Sequence, residues 1–599
     1  MGGASITELF RTVHDPVVTG HSGLHAGREL MMLPGGEIRH YGAHFYRDRS
    51  GQNAALPVVR RSFDYGISWL LEPVTGKTPG ASIRSPYSGD YLTLRRRAKQ
   101  PDNWHEFWPY DLFPLPGDVP EGVYVFRSNH PDDRWEMEQI FSDPIHIQRQ
   151  PLPLRKRQRW LLGAEQWIDK TLYPVVLISD DDGRSWRKTI LPPPPVHTVA
   201  WPHKGPRWLQ CGCEPVIAEY PDGRLHMLLR TSTDRHWQCF SEDGGESWSS
   251  LEPSPFYAVA TMPNLTTLAD GRLLAVWNNT SPLPELDHAL QTDLDEDARN
   301  GVWEDVFTNR DVLHAAISDD MGKTWIGFRE LLLNPIRNYN DFRTIGGSWV
   351  LRDKSIHQTQ VLELPENKVL VALGQHPCCE ALLLFDLDYL YERERREDFK
   401  SGLVNWSIHQ YVRSHSGGFC YAGHCAWNRR PGASLIPAPD GSPREMLQIA
   451  RHPDSRLLYE KEGAVWNFPA IRCGVLKLRL ILMPGSAGMR ITLTDRWFNP
   501  VDPVVHKLSP FVLELDSAGR IEGVPMLTPG KECEIEISFD QNAGSLRFRC
   551  GELAGESPLR QPVDGAMSYL HLQSLSEGSD PFGVLIAAVE MRGERLGEE

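Results

Sequence analysis

A glutamate and an arginine frame a hairpin that can be recognised in the sequence. Glu214 precedes one apolar run, residues 215–220, and Arg230 follows a second, residues 225–229, with a Pro-Asp-Gly turn between them. Because a hairpin brings its two outer ends together, the carboxylate and the guanidinium are expected to share one face. The planar fork of arginine matches both oxygens of a carboxylate, so this face is a candidate functional site. The alternative is an ion pair at the edge of a sheet, which contributes little.

A histidine is the second candidate for chemistry. His357 and Gln358 stand directly before another predicted hairpin, residues 359–373. An imidazole titrates near neutral pH, so His357 is a candidate base or nucleophile. A buried, hydrogen-bonded histidine would give the same pattern, and both interpretations stay open at this point.

Four copies of one pattern must position these residues. The pattern S-x-D-x-G-x-[S/T]-W occupies residues 62–69, 179–186, 241–248 and 318–325. Its Asp can bond the amides of its own turn, and its Gly takes a backbone conformation closed to other residues. Its Trp begins the next strand and buries a large surface between neighbouring sheets. The repetition predicts copies of one structural unit, in which these residues build tight hairpin turns and do no chemistry.

Length and composition favour a large all-β protein. A chain of 599 residues exceeds what one core usually serves, so at least two folding units are expected. The 19 Trp, 50 Gly and 47 Pro suit many short strands joined by turns. The net charge of −15, without a long basic run, argues against nucleic acid or an anionic membrane as the main partner. An anionic ligand must therefore meet a local cluster of arginines.

Targeting and redox signals are weak. The first residues lack a basic segment followed by an apolar core, and no stretch approaches the roughly twenty apolar residues that span a bilayer. We therefore expect a cytoplasmic protein, or a secreted one if a signal peptide has been removed. Ten Cys are too few for a disulfide scaffold, and no paired C-x-x-C occurs. The sequence predicts neither a metal site nor a cofactor.

The four repeated turns resemble the Asp-box of the sialidase superfamily. The resemblance implies a six-bladed β-propeller over residues 1–465, and the strand pattern after it predicts a C-terminal β-sandwich over residues 466–599. The sandwich looks like the jelly-roll or lectin-like modules that accompany sialidases, and it is expected to be either a structural cap or a carbohydrate-binding module. Asp-boxes also occur in other propellers, so they indicate the fold and not the substrate.

Four segments complete this interpretation of the propeller. Residues 1–27 are expected to contribute a strand that closes the ring. Residues 76–160 are predicted to be a long insertion, either a rim over the active face or an extra hairpin beside it. Charged residues at helical spacing predict an exposed helix over 387–399. The sixth blade is predicted from the hairpin at residues 433–450.

The resemblance also implies a set of site residues. In sialidases three arginines from separate blades hold the substrate carboxylate, a glutamate activates a tyrosine nucleophile, and a loop aspartate is the acid/base. Glu214 matches the glutamate. The arginines are matched by Arg28, Arg230 and Arg310, with Arg343 competing for the third place.

The nucleophile and the acid match less well. His357 and Gln358 stand where the family has its tyrosine, so we expect His357 in a catalytic role and Gln358 in contact with substrate. Asp48 is the expected acid, although Arg47 and Arg49 beside it would lower its pKa, and a salt-bridged loop residue is the alternative. Tyrosines that could reach the channel from other strands are Tyr339, Tyr421 and Tyr459. Fallback acids are Asp90, Glu106 and Asp111.

The function implied by the resemblance is hydrolysis. The chain is expected to be an exo-glycosidase that releases a terminal, sialic acid-like sugar from a glycan, with carbohydrate as its partner and no prediction of oligomeric state. The missing tyrosine leaves an inverting hydrolase of other acidic or plant-type sugars open, with two carboxyls about 6.5–9.5 Å apart. Two further alternatives are a polysaccharide lyase that uses His357 as base on a uronate, and a non-catalytic carbohydrate-binding propeller.

Overall fold

The protein is described by a computed structural model whose described part is nearly all β. It comprises residues 6–22, 28–47, 53–74, 78–97, 119–143, 145–169, 171–194, 201–203, 212–284, 309–334, 355–374, 380–411, 429–453 and 462–594. Six four-stranded antiparallel sheets are followed by two larger ones. None of the described helices has the length and the apolar character needed to cross a membrane.

The six four-stranded sheets are the blades of a propeller, numbered here I to VI. From the inside outwards their strands are Leu30–Met32, Ile38–Arg47, Asn53–Ser62 and Leu70–Pro73 in blade I; Ile83–Arg84, Tyr91–Arg97, Gly122–Ser128 and Glu136–Phe141 in blade II; Leu152–Pro153, Trp160–Ile168, Thr171–Ser179 and Arg187–Ile190 in blade III; Cys213–Glu219, Leu225–Arg230, Arg235–Ser241 and Glu252–Tyr257 in blade IV; Asn264–Thr267, Leu273–Trp277, Val312–Ser318 and Ile326–Leu333 in blade V; and Gln360–Leu364, Lys368–Leu373, Ala381–Asp386 and Val17–Gly20 in blade VI.

The core of the propeller is divided among the contacts between blades. Each neighbouring pair of blades shares its own cluster of buried apolar side chains. The sixth cluster joins blade I to blade VI, through Leu30 and Ile38 on one side and Leu370 and Leu382 on the other. Burial of apolar surface on both faces of every blade therefore closes the ring, and the prediction of six blades is confirmed.

The ring is also closed by strand pairing between the two ends of the propeller. Val17–Gly20 pairs antiparallel with Ala381–Asp386 and forms the outer strand of blade VI. The expectation that the first 27 residues contain a closing strand is confirmed. A short helix, Ile6–Thr12, precedes this strand and buries Phe10 in the cluster between blades I and VI. The N-terminal segment thus covers an edge that would otherwise be open.

Gly20 lets the closing strand approach blade I closely. A Cβ at this position would lie 2.8 Å from Cδ1 of Trp69, whose indole N–H donates to Thr19 Oγ1 at 3.2 Å. We expect Gly20→Val to lower the free energy of unfolding by about 1–3 kcal/mol through overpacking. Denaturant unfolding measures this effect. Gly35→Ala is the control, because a Cβ at this position would meet open space. A Gly20→Val variant as stable as the wild type would show that the strand does not pack on Trp69.

The repeated boxes are turns between the third and fourth strands of blades I, III, IV and V. In the first box, Asp64 accepts from the amide of Ser68 at 3.0 Å and from its hydroxyl at 2.5 Å, and the amide of Gly66 donates to Ser62 Oγ at 2.8 Å. The Asp-to-amide bond recurs in the other boxes. The third strand of a blade runs parallel to the first, so the boxes lie at the end of the propeller opposite the start of the innermost strands. The predicted structural role of the boxes is observed.

Three segment predictions are wrong. Residues 76–160 are not an insertion, because they contain the whole of blade II and part of blade III, and blade II was missed since it carries no box. The hairpin at 433–450 is not a blade, because its second strand, Glu445–Arg451, pairs with Asp580–Gly593 of the sandwich. Residues 387–399 form one 3-10 turn with buried apolar side chains and a short strand, and not an exposed helix.

The C-terminal part of the chain is the predicted β-sandwich. One sheet has the strand order Ser434–Pro437, Glu445–Arg451, Asp580–Gly593, Cys473–Leu482, Glu532–Asp540, Ser545–Cys550 and Leu553–Pro558, with Glu394–Glu397 also pairing to Asp580–Gly593. The other has the order Trp406–Ser407, Gly463–Ile471, Met567–Ser574, Gly488–Thr494, Phe511–Asp516, Arg520–Ile521 and Val524–Pro525. A hairpin, His409–Tyr411 with Arg429–Pro431, and a short helix, Val505–Leu508, complete it.

The two sheets of the sandwich enclose one apolar core. Alternate residues of Cys473–Leu482 point inwards, and Leu478 from this sheet shares the core with Trp466 and Leu570 from the other. This alternation is the pattern from which the sandwich was predicted. Because Glu394–Glu397 and Trp406–Ser407 already pair within these sheets, we propose that the domain begins near residue 394 and not at residue 466.

Candidate functional site

The candidate site lies where the innermost strands of the blades begin. Within three residues of the start of such a strand, in blades I, III, IV and VI, stand Glu29, Arg149, Glu214 and Gln358. In a propeller these strand ends converge on the central axis. The side chains of four different blades are therefore brought together at one end of the channel, here called the channel mouth.

Glu214 and Arg230 form a buried ion pair at this mouth. The first two strands of blade IV pair Cys213 with Arg230, which places the glutamate beside the arginine. Arg230 Nη1 donates to Glu214 Oε2 at 2.8 Å, and the two side chains are 8% and 7% exposed. The predicted shared face is observed, but the pair is buried at the channel mouth and is not an ion pair at a sheet edge.

The environment of Glu214 favours its ionised form. Burial alone would raise the pKa of this carboxyl, but the charge and hydrogen bond of Arg230, followed by the charges of His146 and Arg149, lower the pKa below its usual value. A carboxylate that stays deprotonated at neutral pH can act as a base or a nucleophile, and it is poorly suited to donate a proton.

Arg149 lies on the axis and was missed by the sequence analysis. Its guanidinium donates to the carbonyl of Thr359 in blade VI, at 2.9 Å, and to the carbonyl of Pro263 just before blade V. Blades III and VI are opposite each other in a six-membered ring, so a side chain that joins them crosses the axis. Arg149 was missed because residues 76–160 were interpreted as an insertion.

Arg149 keeps its charge without an ion pair. Burial lowers the pKa of Arg149 to about 10, and the negative charge of Glu214 acts against this effect. The guanidinium is therefore cationic at neutral pH. Within the part of the chain that the structure describes, no carboxylate lies within ion-pair distance of it, and its Nε–H has no hydrogen-bond partner. A positive charge thus stands on the axis beside Glu214.

Arg28 is the most accessible of the predicted arginines that the structure describes. Its side chain is 18% exposed, its Nη1 donates to the carbonyl of Ile147 at 3.0 Å, and its Nε lies 3.4 Å from Glu29 Oε1. Arg95 of blade II forms the shorter ion pair with Glu29, at 2.6 Å. The structure therefore places Arg28 at the channel mouth, next to the segment that carries Arg149, and its contact with a substrate carboxylate stays a prediction.

Arg310 and His357 are buried and contact each other. Arg310 is fully buried, and its guanidinium contacts His357 Nε2 at 3.2 Å and donates to the carbonyl of Ala260. A guanidinium can only donate, so Nε2 of His357 must accept and its lone pair is occupied. In this arrangement Arg310 supports His357, and Nε2 of His357 is not free to act as a base.

Two candidate residues have strained backbones. Glu214 and Gln358 both lie in the left-handed region, with φ of 49° and 60°. Such conformations are costly for residues with a Cβ, and they persist where the surrounding structure enforces them, often at functional sites. Gln358 is buried at the channel mouth, and its contact with substrate stays a prediction.

A second glutamate supports Glu214 and was also missed. Glu165 Oε2 accepts the backbone N–H of Glu214 at 2.6 Å, and its Oε1 accepts from Nδ1 of His146. Gln148 in turn contacts His146 Nε2 at 2.9 Å. These residues fix the backbone of Glu214 from blade III. No signal in the sequence identified them, because the contact depends on the packing of blade III against blade IV.

Several predicted residues lie outside the described residues. These are Asp48, Tyr339, Arg343, Tyr421, Tyr459, Glu106 and Asp111. The fallback acid Asp90 is described and is misplaced for catalysis, because it lies in the turn between the first two strands of blade II and accepts from Arg127 at 3.0 Å. That turn is at the box end of the propeller.

One group of described residues has the spacing of metal ligands. His14, Asp15 and Glu392 lie close together at the surface, where His14 Nδ1 is 2.9 Å from Asp15 and 3.6 Å from Glu392. The carbonyl of His14 accepts from the amide of Asp386, at the end of the third strand of blade VI. This group is therefore at the box end of the propeller and not at the channel mouth.

Comparison with known proteins gives one family match. Residues 123–339 match the BNR repeat-like domain, from blade II to just after blade V. No curated protein matches the chain. The solved structures that are similar to this chain include Trypanosoma rangeli sialidase, which has 12% identity and a TM-score of 0.35 and for which the match covers 98% of this chain and 96% of that one. They also include the NanB sialidase from Streptococcus pneumoniae (12% identity, TM-score 0.36, covering 62% of this chain and 71% of that one) and a protein of unknown function from Dyadobacter fermentans (16% identity, TM-score 0.35, covering 62% and 96%). At these scores the similarities carry no argument, and the architecture rests on the strand pairing of this chain.

Proposed function

We propose that this six-bladed β-propeller, which carries a BNR repeat-like domain, is a glycoside hydrolase that removes a terminal acidic sugar from a glycan. The observation that carries the proposal is the charge arrangement at the channel mouth. In a protein with a net charge of −15, Arg149 stands on the axis with no carboxylate of the described residues within ion-pair distance and with its Nε–H unbonded. Arg28 donates to the carbonyl of Ile147, in the segment that carries Arg149. A local positive charge in an acidic protein selects an anionic ligand, and arginine is suited to a carboxylate.

Glu214 is the proposed catalytic carboxylate. Its lowered pKa supports a role as base or nucleophile, either towards water or towards a hydroxyl group of the enzyme. Arg230 holds the carboxylate of Glu214 in place. Together with Arg28 and Arg149, it binds the negatively charged group of the substrate. Gln358 is proposed as a hydrogen-bonding contact for the sugar. Asp48 remains the proposed acid, on the sequence alone.

The lyase alternative receives less support. That mechanism needs an imidazole whose lone pair can remove a proton from the sugar ring. Nε2 of His357 instead accepts from Arg310 at 3.2 Å. We therefore propose that His357 shapes the channel mouth and does not abstract a proton, and that Arg310 acts through His357 and not on the substrate carboxylate.

Turnover of matched substrates tests the proposed function. The full chain is incubated with a fluorogenic sialoside, with the same sugar carrying an amide in place of the carboxylate, and with uronic-acid oligosaccharides. We expect release of the fluorophore from the acidic sialoside and none from its amide, because the arginines have no charge to bind in the amide. An unsaturated product absorbing in the ultraviolet would identify a lyase. Retention of the acidic sugar without turnover would identify a binding propeller, and either outcome contradicts the proposal.

A further inference from the structure

The sandwich domain meets the propeller beside the candidate site. The backbone of Trp497 in the sandwich bonds to the backbone of blade V on both sides. Its amide donates to the carbonyl of Asn279, and its carbonyl accepts from the amide of Ser281, both at 2.9 Å. This pairing follows the second strand of blade V, at the end of the propeller that holds the channel mouth. The sandwich is therefore joined by backbone hydrogen bonds to the same end of the propeller as Glu214.

Two sandwich side chains contact the residues on either side of Arg310. Asn499 Nδ2 donates to Asn309 Oδ1 at 3.4 Å, and the same nitrogen lies 3.4 Å from His409 Nε2. His409 Nε2 is 4.0 Å from Asp311 Oδ2. All four of these residues are buried. The segment 309–311 is thus held from the sandwich side at Asn309.

The segment 309–311 is in turn bonded to the channel mouth. The carbonyl of Arg310 accepts the amide of Ile356 at 2.8 Å, and its guanidinium contacts His357. Gln358 follows directly. A continuous path of contacts therefore runs from Asn499 through Asn309 and Arg310 to His357 and Gln358.

Two residues on this path have left-handed backbones that surrounding contacts must hold. Asn309 and Gln358 both have left-handed backbones, with φ of 59° and 60°. Strained conformations of this kind persist only where surrounding contacts determine them. The side chain of Asn309 is fixed twice, by Asn499 and by the carbonyl of Ser281 at 2.6 Å. Contacts from the sandwich are thus available at the point where the strain has to be balanced.

The rest of the interface indicates a rigid junction. His314 Nε2 of blade V contacts the hydroxyl of Tyr569 in the sandwich, and that hydroxyl donates to Glu330 Oε1 at 2.8 Å. The amide of Glu330 donates to Asn467 Oδ1 of the sandwich at 3.0 Å. A buried network of satisfied hydrogen bonds fixes one arrangement, whereas domains joined by small polar interfaces usually move relative to each other.

We propose that the sandwich domain is a positioning element of the candidate site: Asn499 holds the segment 309–311 at Asn309, and through Arg310 it sets the position of His357 and Gln358. Asn499 and Asn309 are positioning residues, since neither of them touches the proposed substrate. The catalytic consequence rests on the proposed function, but the contact path does not.

Two variants cut the path at the contact between Asn499 and Asn309. Asn499→Asp keeps the oxygen that accepts the amide of Val501 at 3.1 Å and replaces the donor to Asn309 by an acceptor. Asn309→Gly removes the side chain at a left-handed position that glycine adopts without strain. Asp564→Ala is the control, because it removes an ion pair between sandwich and propeller, to Arg235 at 3.0 Å, from an exposed position.

Hydrogen exchange in the full-length protein tests the path independently of activity. In both path variants, amide exchange in the peptide that contains Ile356 should rise about tenfold, the effect of weakening one hydrogen-bonded contact. With the fluorogenic sialoside, kcat should fall about tenfold while KM changes less than about twofold, because Arg28 and Arg230 are untouched. Asp564→Ala should change neither quantity.

The outcomes separate this proposal from the proposed function. Unchanged exchange around Ile356 in both folded variants would overturn the path, and so would an equal rise in Asp564→Ala, which would indicate general loosening. If neither wild type nor variants turn over the sialoside, the proposed function fails while the exchange result still decides the path. A rise in exchange with an unchanged kcat would overturn the positioning role.

Discussion

Glu214→Gln should reduce kcat/KM for an acidic sialoside by about 10²–10⁴-fold, the range expected when a general base is removed. The substitution keeps the size of the side chain and a hydrogen-bond acceptor for Arg230 Nη1, which now lies 2.8 Å from the carboxylate, but it removes the charge that makes the carboxylate basic. Steady-state kinetics measure the loss. Binding of the acidic sugar should persist, because Arg28 and Arg149 remain cationic, and isothermal titration calorimetry measures this affinity.

The control for this variant is a glutamate of the same blade. Glu252 lies on the outer strand of blade IV, where it is exposed and accepts from Gln238 at 3.1 Å. Glu252→Gln should leave kcat/KM unchanged. If Glu214→Gln retains the activity of the wild type while Glu252→Gln behaves as expected, Glu214 is not the catalytic carboxylate.

Arg230→Met should lower the free energy of unfolding at neutral pH by about 3–5 kcal/mol, because it leaves Glu214 charged, buried and without its ion-pair partner. The double variant Glu214→Gln, Arg230→Met should recover part of this loss, since neither remaining group carries a charge. Urea unfolding of the single and double variants measures both values. Equal stabilities of Arg230→Met and the wild type would show that the pair does not contribute to the fold.

The effect of Arg230→Met depends on pH through Glu214. In the wild type the folded-state pKa of Glu214 is lowered, so its ionisation contributes stability at pH values above its unfolded pKa, and this contribution is lost as the pH falls through the folded-state pKa. Without Arg230, burial raises the folded-state pKa, and ionisation then opposes folding. The stability difference should therefore be largest near pH 7 and shrink below the unfolded pKa of about 4.3. A difference that is constant with pH would contradict this account.

Local patterns predicted those parts of the molecule that neighbouring residues build. The box turns were recognisable because all of their hydrogen bonds, such as that from Ser68 to Asp64, join residues a few positions apart. The Glu214–Arg230 pair was predictable because a single hairpin forms it, although its burial was not.

Blade II shows why the same patterns failed elsewhere. It has the four strands of the other blades but no box, so nothing in residues 76–160 marked the turn, and the segment was interpreted as an insertion. That error also hid Arg149. The hairpin at 433–450 has the alternation of a blade, but apolar alternation is shared by blades and sandwich strands, and only the pairing with Asp580–Gly593 distinguishes them.

The sequence by itself determined the repeating turn, the all-β class and one carboxylate–guanidinium pair, because each depends on residues close together in the chain; Glu214 and Arg230 are 16 residues apart. Only the tertiary structure decided which blades face each other across the axis. Arg149 bonds to Thr359, which is 210 positions away in the sequence, and Asn499 of the sandwich bonds to Asn309, which is 190 positions away. Contacts at such separations depend on ring closure and domain packing, so the charges that surround Glu214 and the burial of Arg310 followed from the folded protein and not from any local pattern.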